Sequence, residues 1–163
     1  MFNRKISDND LLIKRMKECP LFSELGTGDI KALLGTAHIR EYSGDEKIFT
    51  EGTVGLCFYL VVTGSVNITG DTNGDGKSTV FKEYKIGGFF SEVHLFSETF
   101  HTVSCVAKEV TKLIVFTKPD FEEIIKIKPK LGNKVLLSFL DFFGQKLDSL
   151  YKENRELKER FPV

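Results

Sequence analysis

The 163-residue chain has no tryptophan, only four prolines and three cysteines, and no net formal charge, with 23 basic and 23 acidic residues. Each shortage narrows the function. Domains that grip nucleic acid are usually basic, so a balanced chain is not expected to bind it directly. An odd cysteine count, Cys19, Cys57 and Cys105, each among apolar neighbours and without metal-type spacing, gives neither a disulfide framework nor a zinc site; reduced thiols in a cytoplasmic setting are expected. The opening MFNRKISDND has no apolar signal core, and no run reaches the roughly 20 apolar residues of a membrane span. The expectation is therefore a soluble protein without membrane contact. Histidine is also scarce: His38, His94 and His101 are scattered, and no metal site or Ser-His-Asp set can be assembled from local motifs, so no enzyme is expected.

Apolar residues make up 41% of the chain, including fifteen phenylalanines, which suits one ordinary core. Asn9 to Glu18 reads as a short amphipathic helix carrying Leu11, Leu12 and Met16, with Asp8 or Asp10 as cap, stopped by Pro20. Thr27-Gly28-Asp29 caps a second helix to about Gly35, with Ile30, Leu33 and Leu34 inward. From Ala37 the apolar period shortens. Strand-like runs at 38–42, 47–50, 56–62, 66–69, 79–86, 102–107 and 110–116 alternate with glycine turns, as in an all-β barrel or jelly roll. Asp71-Thr-Asn73-Gly-Asp75-Gly76 mimics the start of a calcium loop, but the position that needs glutamate is Lys82, so a polar hairpin turn is the better reading. Lys118-Pro119-Asp120 starts a helix to about Ile127. Pro129 marks a break, and 131–160 reads as one proline-free helix about 45 Å long.

The stretch Gly87 to Val103, GGFFSEVHLFSETFHTV, stands apart. Glycines let a ligand approach the backbone, and a short helix with an acid at its start aims free N–H groups at an anion.

Pro20-Leu21-Phe22, Tyr42 with Gly44 and Ile48, Glu51-Gly52 with Gly55, Phe58-Tyr59, Gly64-Ser65-Val66, Gly87 with Phe90 and Glu92, and Asp120-Phe121 together resemble the cyclic nucleotide-binding domain of the catabolite-activator and protein-kinase regulatory type, over about Cys19 to Pro129. The resemblance implies a mainly β fold with flanking helices: an eight-stranded β-roll or jelly roll plus a long C-terminal helix. Its parts would be an N-terminal helical segment at 1–36, the β-roll with a phosphate-binding-cassette-like helix at 37–117, and C-terminal helices at 118–163. It also implies a site made of Gly87, Phe90, Ser91, Glu92, Val93, His101, Thr102 and Val103, holding cAMP or cGMP and no metal. Glu92 takes the place of the ribose-binding acid. Thr102 is the small hydroxyl residue that in the family tends to favour guanine.

The pattern is broken where the charge should be. Ser91 stands for the family's glycine, Phe100 for its frequent proline, and His101 for the arginine that binds the cyclic phosphate. Arginine is always charged and binds two oxygens at once; histidine near its usual pKa of about 6.5 is mostly neutral at pH 7. Losing such a pair costs roughly 2–5 kcal/mol. A phosphate held by His101 would bind more strongly at pH 6 than at pH 8. Two readings follow: a non-enzymatic sensor or regulatory module that signals through its C-terminal helix, and a degenerate, ligand-free domain used for protein interaction and dimerisation.

The long helix supports dimerisation in either case. Leu136, Leu140, Phe143, Leu147, Leu150, Asn154 and Leu157 recur in steps of four and three, with Leu140, Leu147 and Asn154 at a and the others at d. An asparagine at one a position fixes a two-stranded register. The first half of the helix is expected to pack on its own β-roll through Val135, Leu137 and Phe139, leaving the second half for a homodimer, with an unidentified effector protein as a further possible partner. In the catabolite-activator group the same helix also contacts the base; the approximate matches, Lys146 and Leu147, lack the usual hydroxyls.

Overall fold

The computed structural model describes residues 8–71 and 78–161. Among them, helices α1 (Asp8–Glu18) and α2 (Thr27–Leu34) precede strands β1 (His38–Tyr42), β2 (Lys47–Phe49), β3 (Cys57–Thr63), β4 (Val66–Gly70), β5 (Thr79–Tyr84) and β6 (Phe89–Phe90). A 3-10 helix at Glu92–Leu95 interrupts the roll, followed by β7 (Ser104–Ala107), β8 (Thr111–Thr117), α3 (Lys118–Ile127) and α4 (Pro129–Arg160). The eight strands form two antiparallel four-stranded sheets, in the orders β1-β8-β3-β6 and β2-β7-β4-β5. The expected β-roll with flanking helices and a long C-terminal helix is the observed architecture.

Strand β3 explains why the two faces separate. Phe58, Leu60 and Val62 point to the helices, and Tyr59 and Val61 point into the roll. A strand covered on both faces carries apolar side chains at every position, as the CFYLVV run does. The roll interior is completed by Val66, Phe90, Cys105, Leu113 and Val115. The outer core joins Met16, Leu21, Phe22, Ile30 and Leu33 to Phe121, Leu131, Val135 and Phe139. Much of the phenylalanine excess sits here: Phe139 packs against Phe22, Phe58, Phe96 and Phe121 at centroid distances of 5.0–6.4 Å. Through Phe96, which also meets Phe143 at 5.9 Å, the end of the 3-10 helix is tied to α4.

The structure revises several local expectations. Residue Gly26, not the Thr27-Gly28-Asp29 triplet, is the N-cap of α2, and no side chain bonds there. The pair Phe89–Phe90 forms a strand of its own against Tyr59 and Leu60, because the aromatic rings close the roll over β3. Pro129 begins α4 at its first turn, where its missing N–H is harmless, and only Lys128 separates α3 from α4. Leu137 is 66% exposed, whereas Val135 and Phe139 are buried. The inward stripe runs 131, 135, 139 and 142–143, and residue 137 lies on the far side of it. Leu136 and Phe143, two of the expected d positions, pack against the chain's own core. Leu140, Leu147, Leu150 and Leu157 are half or more exposed. Of the calcium-like motif, 72–77 lie outside the described residues, and its last position, Lys82, is in β5. Among the described residues no group of His, Cys, Asp and Glu could hold a metal ion, and no helix is long and apolar enough to cross a membrane.

Candidate functional site

The site is built on a short left-handed kink. Strand β6 brings Phe90 into the roll, stacked 5.1 Å from Tyr59. Ser91 then turns the chain at φ 65°, ψ 22°, and is the N-cap of the 3-10 helix. That conformation is easy for glycine and costs a residue with a Cβ about 1 kcal/mol, which gives the family's glycine at this point its physical reason. The Ser91 hydroxyl is buried, and among the described residues it is the one buried side-chain polar atom with no hydrogen-bonding protein partner. Glu92 follows, 7% exposed, and its Oε1 accepts a 2.6 Å hydrogen bond from Nζ of Lys146 on α4.

The other end of the cassette is held by the Glu51–Gly55 turn. His101 N–H donates to Thr53 O at 2.8 Å, and Gly52 N–H donates to His101 O at 2.8 Å. Gly55 N–H donates to Thr99 O at 2.9 Å. The His101 side chain is 6% exposed and lies flat on Phe49 of β2, with ring centroids 3.8 Å apart and planes at 7°. The His94 ring meets it edge-on at 4.4 Å and shares a 3.2 Å hydrogen bond with Thr99 Oγ1. His94 is buried against Gly55, where any Cβ would overlap its ring. It is therefore part of the cavity wall.

Burial pushes His101 down from 6.5 to about 4, and the neighbouring His94 adds to the shift. His94 is also lowered, mainly by burial, against an opposing pull from Glu92. Both rings are thus neutral at pH 7. Stronger ligand binding at pH 6 than at pH 8 through His101 needs protonation near its usual value, and burial moves that step well below pH 6.

A cavity of about 260 Å³ lies between these ends. Seven of the eight sequence-predicted site residues line it: Phe90, Ser91, Glu92, Val93, His101, Thr102 and Val103. Gly87, at φ 81°, lines a neighbouring groove of about 560 Å³ that runs between β5 and α4. Phe49, Ile68, Tyr84, His94 and Lys146 also line the smaller cavity. Of these, the sequence offered Lys146 only as an approximate base contact and His94 only as a member of the short helix. Nothing local marks Phe49 or Tyr84, because their strands meet the cassette only after the roll closes.

The cyclic nucleotide-binding domain model matches residues 39–128. The chain is 28% identical over 120 residues to the cyclic AMP receptor protein of Thermus thermophilus, covering 74% of this chain and 55% of that one. It is also 28% identical over 110 residues to a cAMP-dependent protein kinase regulatory subunit of Yarrowia lipolytica, covering 68% and 28%. The chain therefore spans about half the length of the first relative and just over a quarter of the second. The crystal structure of the Thermus thermophilus catabolite activator protein superposes with a TM-score of 0.75 at 26% identity, covering 85% of this chain and 63% of that one. The match over more than half the chain, on a β-roll that carries the cassette between β6 and β7, places it in one family: this chain belongs to the cyclic nucleotide-binding domain family.

Proposed function

We propose that this chain is a non-enzymatic regulatory module that takes a cyclic nucleotide, cAMP or cGMP, at 87–103 and passes its occupancy on through α4. One observation carries the reading. The Glu92 carboxylate lines the cassette cavity and is at the same time hydrogen-bonded to Lys146 of the long helix, so ligand and helix compete for the same group. A sugar hydroxyl donating to Glu92 changes what Lys146 bonds, and hence which position of α4 is favoured. Thr102 is exposed and lines the cavity, which suits a hydroxyl contact to a guanine. A cytoplasmic, reducing setting fits the three free thiols, two of them buried.

The module works as a homodimer joined through the outer half of α4. Leu140, Leu147, Leu150 and Leu157 are exposed, as is Asn154, the residue expected at an a position. The second reading, a ligand-free interaction module, is favoured by the buried, neutral His101, which offers a phosphate no charge.

Calorimetric titration of the whole chain with cAMP and with cGMP tests the first reading. Saturable heats are expected for at least one of them; flat heats for both at millimolar concentration leave the ligand-free module. Sedimentation velocity tests the dimer: Leu150→Asp is expected to shift a dimer to monomer, and a wild type that is already monomeric removes the seam.

A further inference from the structure

The family's phosphate-binding position is occupied here by a neutral ring, yet the cassette cavity is not without a cation. Lys146 is the one lysine or arginine among the residues that line it. Its side chain is 52% exposed, and its Nζ sits 2.6 Å from Glu92 Oε1 and 5.5 Å from the centroid of Phe142. Tyr84, Glu92 and Lys146 also line the larger groove, so the ion pair stands where the two spaces meet. At about 260 Å³, the inner cavity falls below the usual range for small-molecule sites, about 300–1,000 Å³. A nucleotide-sized ligand held on Glu92 must therefore extend past the ion pair into the groove of about 560 Å³, and so passes within reach of Lys146.

We propose that Lys146, reaching in from α4, is the cation that holds the anionic group of the ligand in this chain, and that its pair with Glu92 is the contact the anion replaces. The inference rests on the cyclic nucleotide reading above, in which Lys146 is only the helix's partner of Glu92, and gives that lysine a direct contact with the ligand. The exchange is electrically even. The ammonium leaves a carboxylate and gains a phosphodiester oxygen, while the freed Glu92 accepts from sugar hydroxyls. A half-exposed lysine on a four-carbon stem can move between the two without disturbing the core. Ser91 lines the same cavity and its buried hydroxyl has no protein partner, so a turn about its side chain would supply a second donor to the same anion. Beside Glu92, the titratable groups around Lys146 are Lys82 and Tyr84 on β5, with His94 and His101 across the cavity. With an ammonium as the anion's partner, affinity stays nearly level between pH 6 and pH 8; with an imidazole it rises toward acid.

The test is calorimetry on the full chain with four probes: cAMP, cGMP and the uncharged adenosine and guanosine. Lys146→Gln is expected to weaken the better cyclic nucleotide by about 10- to 100-fold, a range reduced for the exposure of the lysine. The corresponding nucleoside should change by less than about 3-fold, because it has no anion to lose. Lys146→Arg should restore most of the affinity, and wild-type affinity should vary by less than about 2-fold between pH 6 and pH 8. A thermal melt of each variant shows that the fold is kept. Wild-type binding that survives Lys146→Gln undiminished, or that tightens, overturns the role of Lys146 and leaves the cyclic nucleotide reading standing. Wild-type heats absent for all four probes overturn both.

Discussion

The two ends of the cassette pocket use charge in opposite ways. At the His101 end everything is fixed and neutral. The backbone is bound to the Glu51–Gly55 turn on both sides, the imidazole lies between Phe49 and His94, and His94 is in turn held by Thr99 and wedged against Gly55. At the Glu92 end the groups are charged, and one of them is only lightly held. Glu92 is buried, but its partner is a half-exposed lysine that belongs to another element. Histidine at the position where the resemblance expects an arginine thus does more than lack a charge. Its aromatic surroundings make the position part of the packing, and the charged groups of the pocket lie at the end that α4 reaches.

The rigidity of the histidine end has the largest expected consequence. A methyl group on Gly55 falls inside the His94 ring, which cannot retreat without pushing His101 off Phe49. Gly55→Ala is expected to destabilise the fold by about 2–3 kcal/mol, in the range of overpacked interiors. For a domain of this size that lowers the melting temperature by roughly 4–12 °C. A melting temperature equal to wild type would mean that the His94 end is as yielding as the Glu92 end, and the contrast between them would be lost.

Neutral burial of His101 makes a second, pH-dependent prediction. Its pKa is about 4 in the folded chain and about 6.5 when unfolded. Above pH 6.5 neither state is protonated, so the group adds no pH dependence. Between pH 6.5 and pH 4 the unfolded chain takes up a proton that the folded chain refuses, so stability falls as the pH drops. The lowered pKa of His94 acts in the same direction. Urea midpoints at pH 7 and pH 5 are therefore expected to drop less for His101→Gln than for wild type. Equal drops would show that the ring is protonated where it lies.

The fold was easier to read from sequence than the site, and particular residues show why. The unbroken CFYLVV run specifies a strand covered on both faces whatever surrounds it, and the glycine turns around it specify a roll. Cassette spacing placed Glu92 and His101 on one cavity. What the spacing could not show was the state of those groups. The Phe49–His101 stack joins residues 52 apart, and the Lys146–Glu92 bond joins residues 54 apart. Neither pair has a local signal, since each forms only when β2 or α4 closes on the roll. A heptad was legible along α4, but Leu136 and Phe143 pack on the chain's own core, and periodicity alone cannot distinguish a seam from a core face.

Ser91 lies between the two ends and carries the smallest expected effect. Its left-handed backbone and its buried, unpartnered hydroxyl are both unfavourable to the fold. Ser91→Gly removes both, at the expense of a more flexible unfolded chain, and a net gain of about 1 kcal/mol is expected from chemical denaturation. If the hydroxyl is there for an anion, the same substitution should weaken cyclic nucleotide binding by roughly 10-fold while the fold gains stability, since one hydrogen bond to a charged group contributes about 1.5 kcal/mol or more. Opposite signs for stability and affinity would identify Ser91 as a residue retained for binding. A loss of stability would show instead that the hydroxyl is satisfied in the folded protein, and Ser91 would then have no free donor to offer the pocket.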